Sequence, residues 1–193
     1  MIKKKIAILG STGSIGRSSL EIFSNNVKTF KIILLSAKSN YSLIQKQINK
    51  YKPNYFVIND SIVFKRILKK YKKNRKIKIC NKFSEIPKKI KFDITISAIV
   101  GIAGLEPTIN FIKKSKKVLL ANKESIICGW HILKQVSKRN RTKIIPIDSE
   151  HFSIHQLTKN YKDSDIKKIY ITASGGPFLR KPLSEFKNIK AKE

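Results

Sequence analysis

Lys5-Ile-Ala-Ile-Leu-Gly-Ser-Thr-Gly-Ser-Ile-Gly16 begins as an apolar run and passes directly into three glycines spaced three apart. Residues 5–9 have the length and composition of a buried strand, and the glycines lead into a segment with helical character. Glycine lets the backbone turn sharply and approach a pyrophosphate, while the unpaired N–H groups of the following helix point at its negative charge. Thr12, Gly13, Ser14 and Ile15 are therefore the candidate phosphate cradle. The spacing differs from the common Gly-x-Gly-x-x-Gly, and a plain strand-to-helix turn draws on the same small residues. The flanking sequence favours the cradle: Ile15, Ile22 and Phe23 are expected on the apolar face of a helix, and residues 31–35 form a second apolar run that completes a βαβ unit.

Such a unit ordinarily places an acidic residue about 20 positions on, to bind the adenosine ribose 2′-hydroxyl. No Asp or Glu occurs between Glu21 and Asp60. The second run ends instead in Ser36-Ala-Lys-Ser-Asn40, and the ammonium of Lys38 and the hydroxyl of Ser39, with Asn40 beside them, suit a 2′-phosphate. NADP is expected over NAD.

The 193 residues can bury a substantial core and carry a formal charge of +30. Such a charge points towards polyanions, but the lysines are spread over nearly every segment and few aromatic residues are interleaved as stacking platforms. Lys, Ile and Asn are all abundant and share A/T-rich codons, so the basicity reads as compositional bias, with no specific nucleic-acid partner expected. Two cysteines, Cys80 and Cys128, stand in no metal-binding or redox spacing, which fits a reducing compartment. The basic start imitates a signal peptide, but its apolar stretch is too short, and no membrane span is evident. A cytoplasmic protein is expected.

Strand-like and helical stretches alternate to about residue 147, so the expected architecture is α/β, a Rossmann-like doubly wound parallel sheet. Helices are expected around 42–51, 63–71, from 105, and over 126–133, with strands at 54–58, 92–97, 117–120 and 143–147. The pattern then changes to a short helix near 152–157 and a strand over 167–172. Residues 1–147 are assigned to an NADP-binding domain and 148–193 to the start of an α+β catalytic domain, incomplete as it stands.

Three loops fall at the sheet's carboxyl edge, where ligands bind in open α/β folds: Ala98-Ile-Val-Gly101, Ala121-Asn-Lys-Glu-Ser125 and Asp148-Ser-Glu150. Asp148 and Glu150 follow a strand at i and i+2, so in extended backbone they would point the same way and share a hard cation such as Mg²⁺ or Mn²⁺. His151 and His155 at i, i+4 permit zinc with Glu150 instead, and helix-capping carboxylates are a third reading. Lys123 lies in the second loop between Asn122 and Glu124, where it could hold a substrate oxygen or, like most lysines here, simply face solvent. Ser174-Gly-Gly176 has the make-up of a small anion grip or of an ordinary turn.

The strings GSTGSIG, AIVG, LLANKES, PIDSEH and TASGGPF, in this order, closely resemble the 1-deoxy-D-xylulose 5-phosphate reductoisomerase family across essentially the whole chain. The resemblance implies NADPH- and divalent-metal-dependent conversion of that ketose phosphate into 2-C-methyl-D-erythritol 4-phosphate, a step of non-mevalonate isoprenoid synthesis, by rearrangement followed by hydride delivery. It implies that Thr12, Gly13, Ser14 and Ile15 cradle the cofactor phosphate and that Asn122 and Glu124 line the cofactor cleft. Asp148 and Glu150 would ligate the metal; Lys123, Ser149 and Glu150 would face the substrate, Lys123 and Glu150 as the catalytic pair; and Ser174 would help hold the substrate phosphate. A homodimer is the implied full-length state.

The sequence departs from the family pattern at the 2′-phosphate loop, where Ala-Gly-Lys-Asn is usual and Ala37-Lys-Ser-Asn40 stands here, the lysine one position early. The lid, a further substrate cluster, a third metal carboxylate and the helical last domain of the family have no counterpart in the 193 residues, so little turnover is expected from them alone. The competing readings are an oxidoreductase of the aspartate-semialdehyde dehydrogenase type, which needs an activated cysteine, and a basic nucleic-acid-binding protein.

Overall fold

Ile6, Ala7, Ile8 and Leu9 are fully buried in strand β1 (Lys4–Leu9), a run of apolar residues with no polar face. Such a run fits only the centre of a sheet covered on both sides. The computed structural model describes residues 2–171, 178 and 180–189. In chain order, β1 is followed by α1 (Ser14–Asn25), β2 (Phe30–Ala37), α2 (Tyr41–Tyr51), β3 (Tyr55–Ile58), α3 (Ser61–Tyr71), β4 (Lys78–Cys80), β5 (Phe92–Ser97), α4 (Leu105–Ile112), β6 (Ser115–Leu120), α5 (Lys123–Asn140), β7 (Lys143–Pro146) and α6 (Ser149–Thr158). The seven strands pair in the order β4-β3-β2-β1-β5-β6-β7, all parallel. The expected doubly wound parallel sheet is thus the observed one, with the order reversing between β1 and β5.

The two faces carry different cores. Ile6, Ile8 and Leu35 pack with Leu20 and Phe23 of α1, Ile44 and Ile48 of α2, and Ile67 of α3. Ala7, Leu9, Leu34 and Val57 point the other way, against Ile86 and Phe111. Beyond β5, Val118 and Leu120 meet Ile112 of α4 and Leu133 of α5. Each buried apolar side chain contributes about 1.5–3 kcal/mol, so the phase of each helix is settled by which residues reach these clusters.

That phase corrects the expected apolar face of α1. Ile15 and Ile22 are exposed, 39% and 61%, and the inward line is Gly16, Leu20 and Phe23. Gly16 must face the sheet because a Cβ there would strike the Gly10 carbonyl and the Ser11 backbone; residues four and seven further on share its side of the helix, and Ile15 and Ile22 are turned away. In α5 the buried line is Ser125, Gly129 and Leu133, leaving Ile127 and Trp130 outside.

Two polar devices tie distant segments together. At the amino edge, Asp93 of β5 accepts the Lys5 N–H of β1 through Oδ2 at 2.8 Å and pairs through Oδ1 with Lys116 Nζ of β6, also 2.8 Å. At the carboxyl edge, the Asn122 side chain caps α5 by accepting the Ser125 N–H at 2.7 Å and donates to the Ile99 and Gly101 carbonyls. It is buried, and its two protons and its oxygen are all engaged.

The chain divides into two compact units, Met1–Phe152 and Ser153–Glu193. In the second, short 3₁₀ turns occupy Asp163–Asp165 and Leu183–Asn188, and Phe178 meets Phe186 edge to face. The strand expected over 167–172 is not formed in its described part: residues 167–171 are exposed and pair with no neighbouring strand. Among the described residues no helix is long and apolar enough to cross a membrane.

Replacing Asn122 by Ala removes a cap worth about 1 kcal/mol and leaves two carbonyls unsatisfied at about 1–3 kcal/mol each if they stay buried. Urea unfolding should therefore show a loss of about 1 kcal/mol if water reaches both carbonyls, rising to about 3–7 kcal/mol if they stay buried, and an unchanged midpoint would contradict the role given to this amide. The Lys116 ammonium and the Lys5 N–H together hold the Asp93 carboxyl below its ordinary value against a smaller opposing effect of burial. Its contribution is complete above the unfolded Asp value of about 3.9 and disappears as pH falls through the lower folded-state value. Asp93→Asn should cost about 1 kcal/mol at pH 7, a modest figure because Lys116 is 80% exposed, and the wild-type advantage should shrink as pH falls below the unfolded Asp value and vanish once the folded-state carboxyl is protonated.

Candidate functional site

The glycine loop leaves β1 at the point where the strand order reverses, which is where ligands bind in open α/β sheets. Gly10 takes φ +80°, and a Cβ there would lie 2.5 Å from the Ala98 carbonyl oxygen. Gly13 is the N-cap of α1 in extended conformation, φ −72° and ψ 170°, with no side chain to cap the first turn and no acid within it. Gly13, Ser14 and Ile15 are exposed and Thr12 is half-buried. A positively polarised helix end with unsatisfied N–H groups thus faces the edge of the sheet.

Beneath the loop lies a polar network that sequence reading missed. The Ser11 N–H donates to the Ser36 carbonyl at 2.7 Å, the Gly10 N–H to Ser36 Oγ at 3.1 Å, and Ser11 Oγ lies 2.6 Å from Gln47 Oε1. Gln47 Nε2 donates back to the Ser11 carbonyl at 2.8 Å. Ser11, Ser36 and Gln47 are all buried. The signal was available: Gln47 stands on the inward line of α2 between Ile44 and Ile48, where an amide needs buried polar partners.

Lys38, Ser39 and Asn40 lie exposed just after β2 at the same edge. Asn40 is the N-cap of α2, its Oδ1 accepting the Leu43 N–H at 3.1 Å. Asn122 is committed to the clamp described above. Lys123 stands in the first turn of α5, not in a loop, with its side chain exposed, and Glu124 beside it is half-buried.

The expectation that Asp148 and Glu150 project together from extended backbone is corrected. Asp148 begins α6: its Oδ1 accepts the His151 N–H at 3.0 Å and meets His151 Nδ1 at 2.6 Å. Ser149 and Glu150 are consequently helical, where residues two apart do not share a direction. Burial pushes the Asp148 carboxyl up, but the His151 N–H, ring and charge outweigh it and leave it below the ordinary value. Its Oδ2 is buried without a hydrogen-bond partner. The exposed Glu150 carboxyl is held down by its own amide N–H, by the Ser149 hydroxyl donating at 3.0 Å, and by the charge of Lys123. Lys123 and Glu150, in the first turns of α5 and α6, are thus within electrostatic reach of each other.

No group of three or more His, Cys, Asp or Glu is placed to hold a metal among the described residues, the zinc grouping of Glu150, His151 and His155 included. Ser174 lies outside the described residues. Cys80 is buried in the core and its thiol is pushed up to about 11, chiefly by burial and then by Glu85, against the pull of Lys78. It is no nucleophile. Cys128 is exposed on α5. The reading that needs an activated cysteine loses its principal support.

Residues 6–129 match the 1-deoxy-D-xylulose 5-phosphate reductoisomerase family, and residues 144–193 match the 1-deoxy-D-xylulose 5-phosphate reductoisomerase C-terminal domain. Reductoisomerases of this name from Pelagibacter ubique and Thermodesulfovibrio yellowstonii are 45% and 39% identical, each aligned over 98% of this chain and 50% of its own length. The Zymomonas mobilis reductoisomerase solved in complex with NADPH superimposes with a TM-score of 0.82 at 28% identity, over 97% of this chain and 50% of that one. A DOX-P reductoisomerase solved with NADPH, fosmidomycin and magnesium gives 0.81 at 30% identity, over 98% and 50%. The chain spans about half the length of the curated relatives it matches. By the match of residues 6–129, which is most of the chain, it belongs to the 1-deoxy-D-xylulose 5-phosphate reductoisomerase family.

Proposed function

We propose that this chain supplies the NADPH cleft and one wall of the substrate site of an enzyme that converts 1-deoxy-D-xylulose 5-phosphate into 2-C-methyl-D-erythritol 4-phosphate, in non-mevalonate isoprenoid synthesis. The observation that carries the reading is the bare, uncapped start of α1 at the strand-order reversal, in a family with a solved member that holds NADPH.

The N–H groups of the first turn of α1 bind the cofactor pyrophosphate, with Thr12, Gly13, Ser14 and Ile15 forming the cradle. Lys38, Ser39 and Asn40 take the 2′-phosphate: the loop offers an ammonium and no carboxylate, so NADPH is preferred to NADH. Asn122 fixes the Ala98-to-Gly101 loop against α5, which together with Glu124 holds the far wall of the cleft at a set distance.

Asp148 Oδ2, a buried carboxylate oxygen without a hydrogen-bond partner, supports a hard divalent cation at this edge. Asp148 would hold Mg²⁺ or Mn²⁺, with Glu150, exposed in the first turn of α6, reaching it as the second ligand. When bound, the nicotinamide supplies a hydride and the cation supplies positive charge at substrate oxygens. Lys123, whose charge already reaches Glu150, orients a substrate oxygen and stabilises negative charge developing on it. The Ser149 hydroxyl holds the Glu150 carboxylate in its ionised form at 3.0 Å. Ser174 is assigned to the substrate phosphate. A homodimeric, cytoplasmic whole protein completes the reading.

Gly13 and Gly16 separate cradle from scaffold. A Cβ at Gly13 finds no protein atom nearer than 3.5 Å, whereas one at Gly16 clashes with backbone. Gly13→Ala should therefore melt within a few degrees of wild type, its effects on cap and chain entropy being of about 1 kcal/mol and opposed. Calorimetric titration should show NADPH bound at least tenfold more weakly by this variant. Wild-type protein that is folded yet binds NADPH no better than NADH, or not at all, would refute the cofactor assignment.

A further inference from the structure

On the sheet face opposite α1, α2 and α3, the connection from β4 to β5 lies beside α4 and leaves a groove of about 700 Å³ between them. Its walls carry Lys82, Lys88, Lys91, Lys113 and Lys114 against a single acid, Glu106. Its floor is apolar, formed by Ile86 with Phe83 and Phe111, whose rings meet edge to face at 5.5 Å. Lys91 stands immediately before β5, and Lys113 and Lys114 immediately before β6, so these three gather at the amino edge of the parallel sheet. The phosphate cradle of α1 lies at the opposite, carboxyl edge.

Two of these ammonium groups are held in place. Lys91 Nζ donates to the Lys113 carbonyl at 3.0 Å, and Lys114 Nζ donates to the Ile86 carbonyl at 3.3 Å. Neither bond neutralises a charge. Lys91 is exposed and Lys114 half-buried, and each has its ammonium tied to a backbone carbonyl at the rim of the groove. Burial first, and then the charges of Lys91 and Lys88, hold Lys114 below the ordinary lysine value. The charges of Lys88 and Lys91, which oppose that of Lys114 beside an apolar floor, are relieved by an anion of high charge density, and the volume falls in the range of small-molecule sites.

We propose that this groove binds a small molecule bearing a diphosphate group, at a site separate from the cofactor cleft. Inorganic pyrophosphate is the probe, titrated calorimetrically and by amide chemical shifts into the 193-residue chain. Binding should shift the amides of Ile86, Lys113 and Lys114, and the double variant K91A/K114A should weaken it at least tenfold. The control K69A/K70A removes the same charge from the exposed end of α3, on the other face of the sheet, and should change the affinity less than twofold. Equal weakening by both variants would show general attraction to a basic chain and overturn the proposal, as would shifts confined to residues 10–16. If K91A/K114A does not fold, the wild-type shift map decides between the groove and the glycine loop. NADPH affinity, unchanged in K91A/K114A, keeps this result independent of the cofactor assignment.

Discussion

The close approach of the Gly10 backbone to the Ala98 carbonyl is the constraint on which the arrangement of this molecule turns. β1 and β5 are neighbours only because the chain can leave β1 at positive φ with no side chain between the two loops. The Ala98 N–H donating to the Leu9 carbonyl at 2.9 Å closes the same junction. Once it is closed, Gly16 packs on the Gly10 carbonyl and sets the rotation of α1, which aims Leu20 and Phe23 into the core and the bare first turn at the sheet edge. Asn122 repeats the device one strand further along, bonding the loop after β5 to the start of α5. Binding geometry at this edge is therefore a by-product of how the sheet is closed.

Strand and helix order was readable in the sequence because a fully covered parallel sheet demands long apolar runs, which β1 and β2 supply, while β5 shows the apolar/polar alternation of a strand. Helix rotation was harder to read. In α1, Ile15 and Ile22 carry the hydrophobicity that draws attention, but a glycine, which contributes nothing to any hydrophobic pattern, decides the phase. Asp148 and Glu150 were legible as chemistry and misjudged as geometry: a carboxylate that can accept the N–H three residues on starts a helix in place of prolonging a strand. Ser11, Ser36 and Gln47 were overlooked since each is unremarkable singly, and only the fold brings the three together beneath the glycine loop.

Electrostatically, the molecule is a lysine-rich surface with twelve acids, several of which serve at particular positions. Asp60 and Asp148 begin helices, Asp93 ties three strands, and Glu85 accepts the N–H groups of Asn81 and Lys82. With so few carboxylates, each one that is helix-capping or bridging has little competition from other acids, and its loss is not masked by neighbours. The same scarcity leaves positive charge unbalanced wherever lysines converge.

The order of strands also dictates an order of assembly. β2, β3 and β4 can add outward from β1 as they are made, yet the other side of β1 stays unpaired until residues 92–97 are available. During that interval Ile6, Ala7, Ile8 and Leu9 present an apolar strand edge, the kind of surface on which nascent chains pair with one another. Lys3, Lys4 and Lys5, exposed at the entrance to this strand, place like charges where two such edges would meet, and that repulsion opposes the pairing.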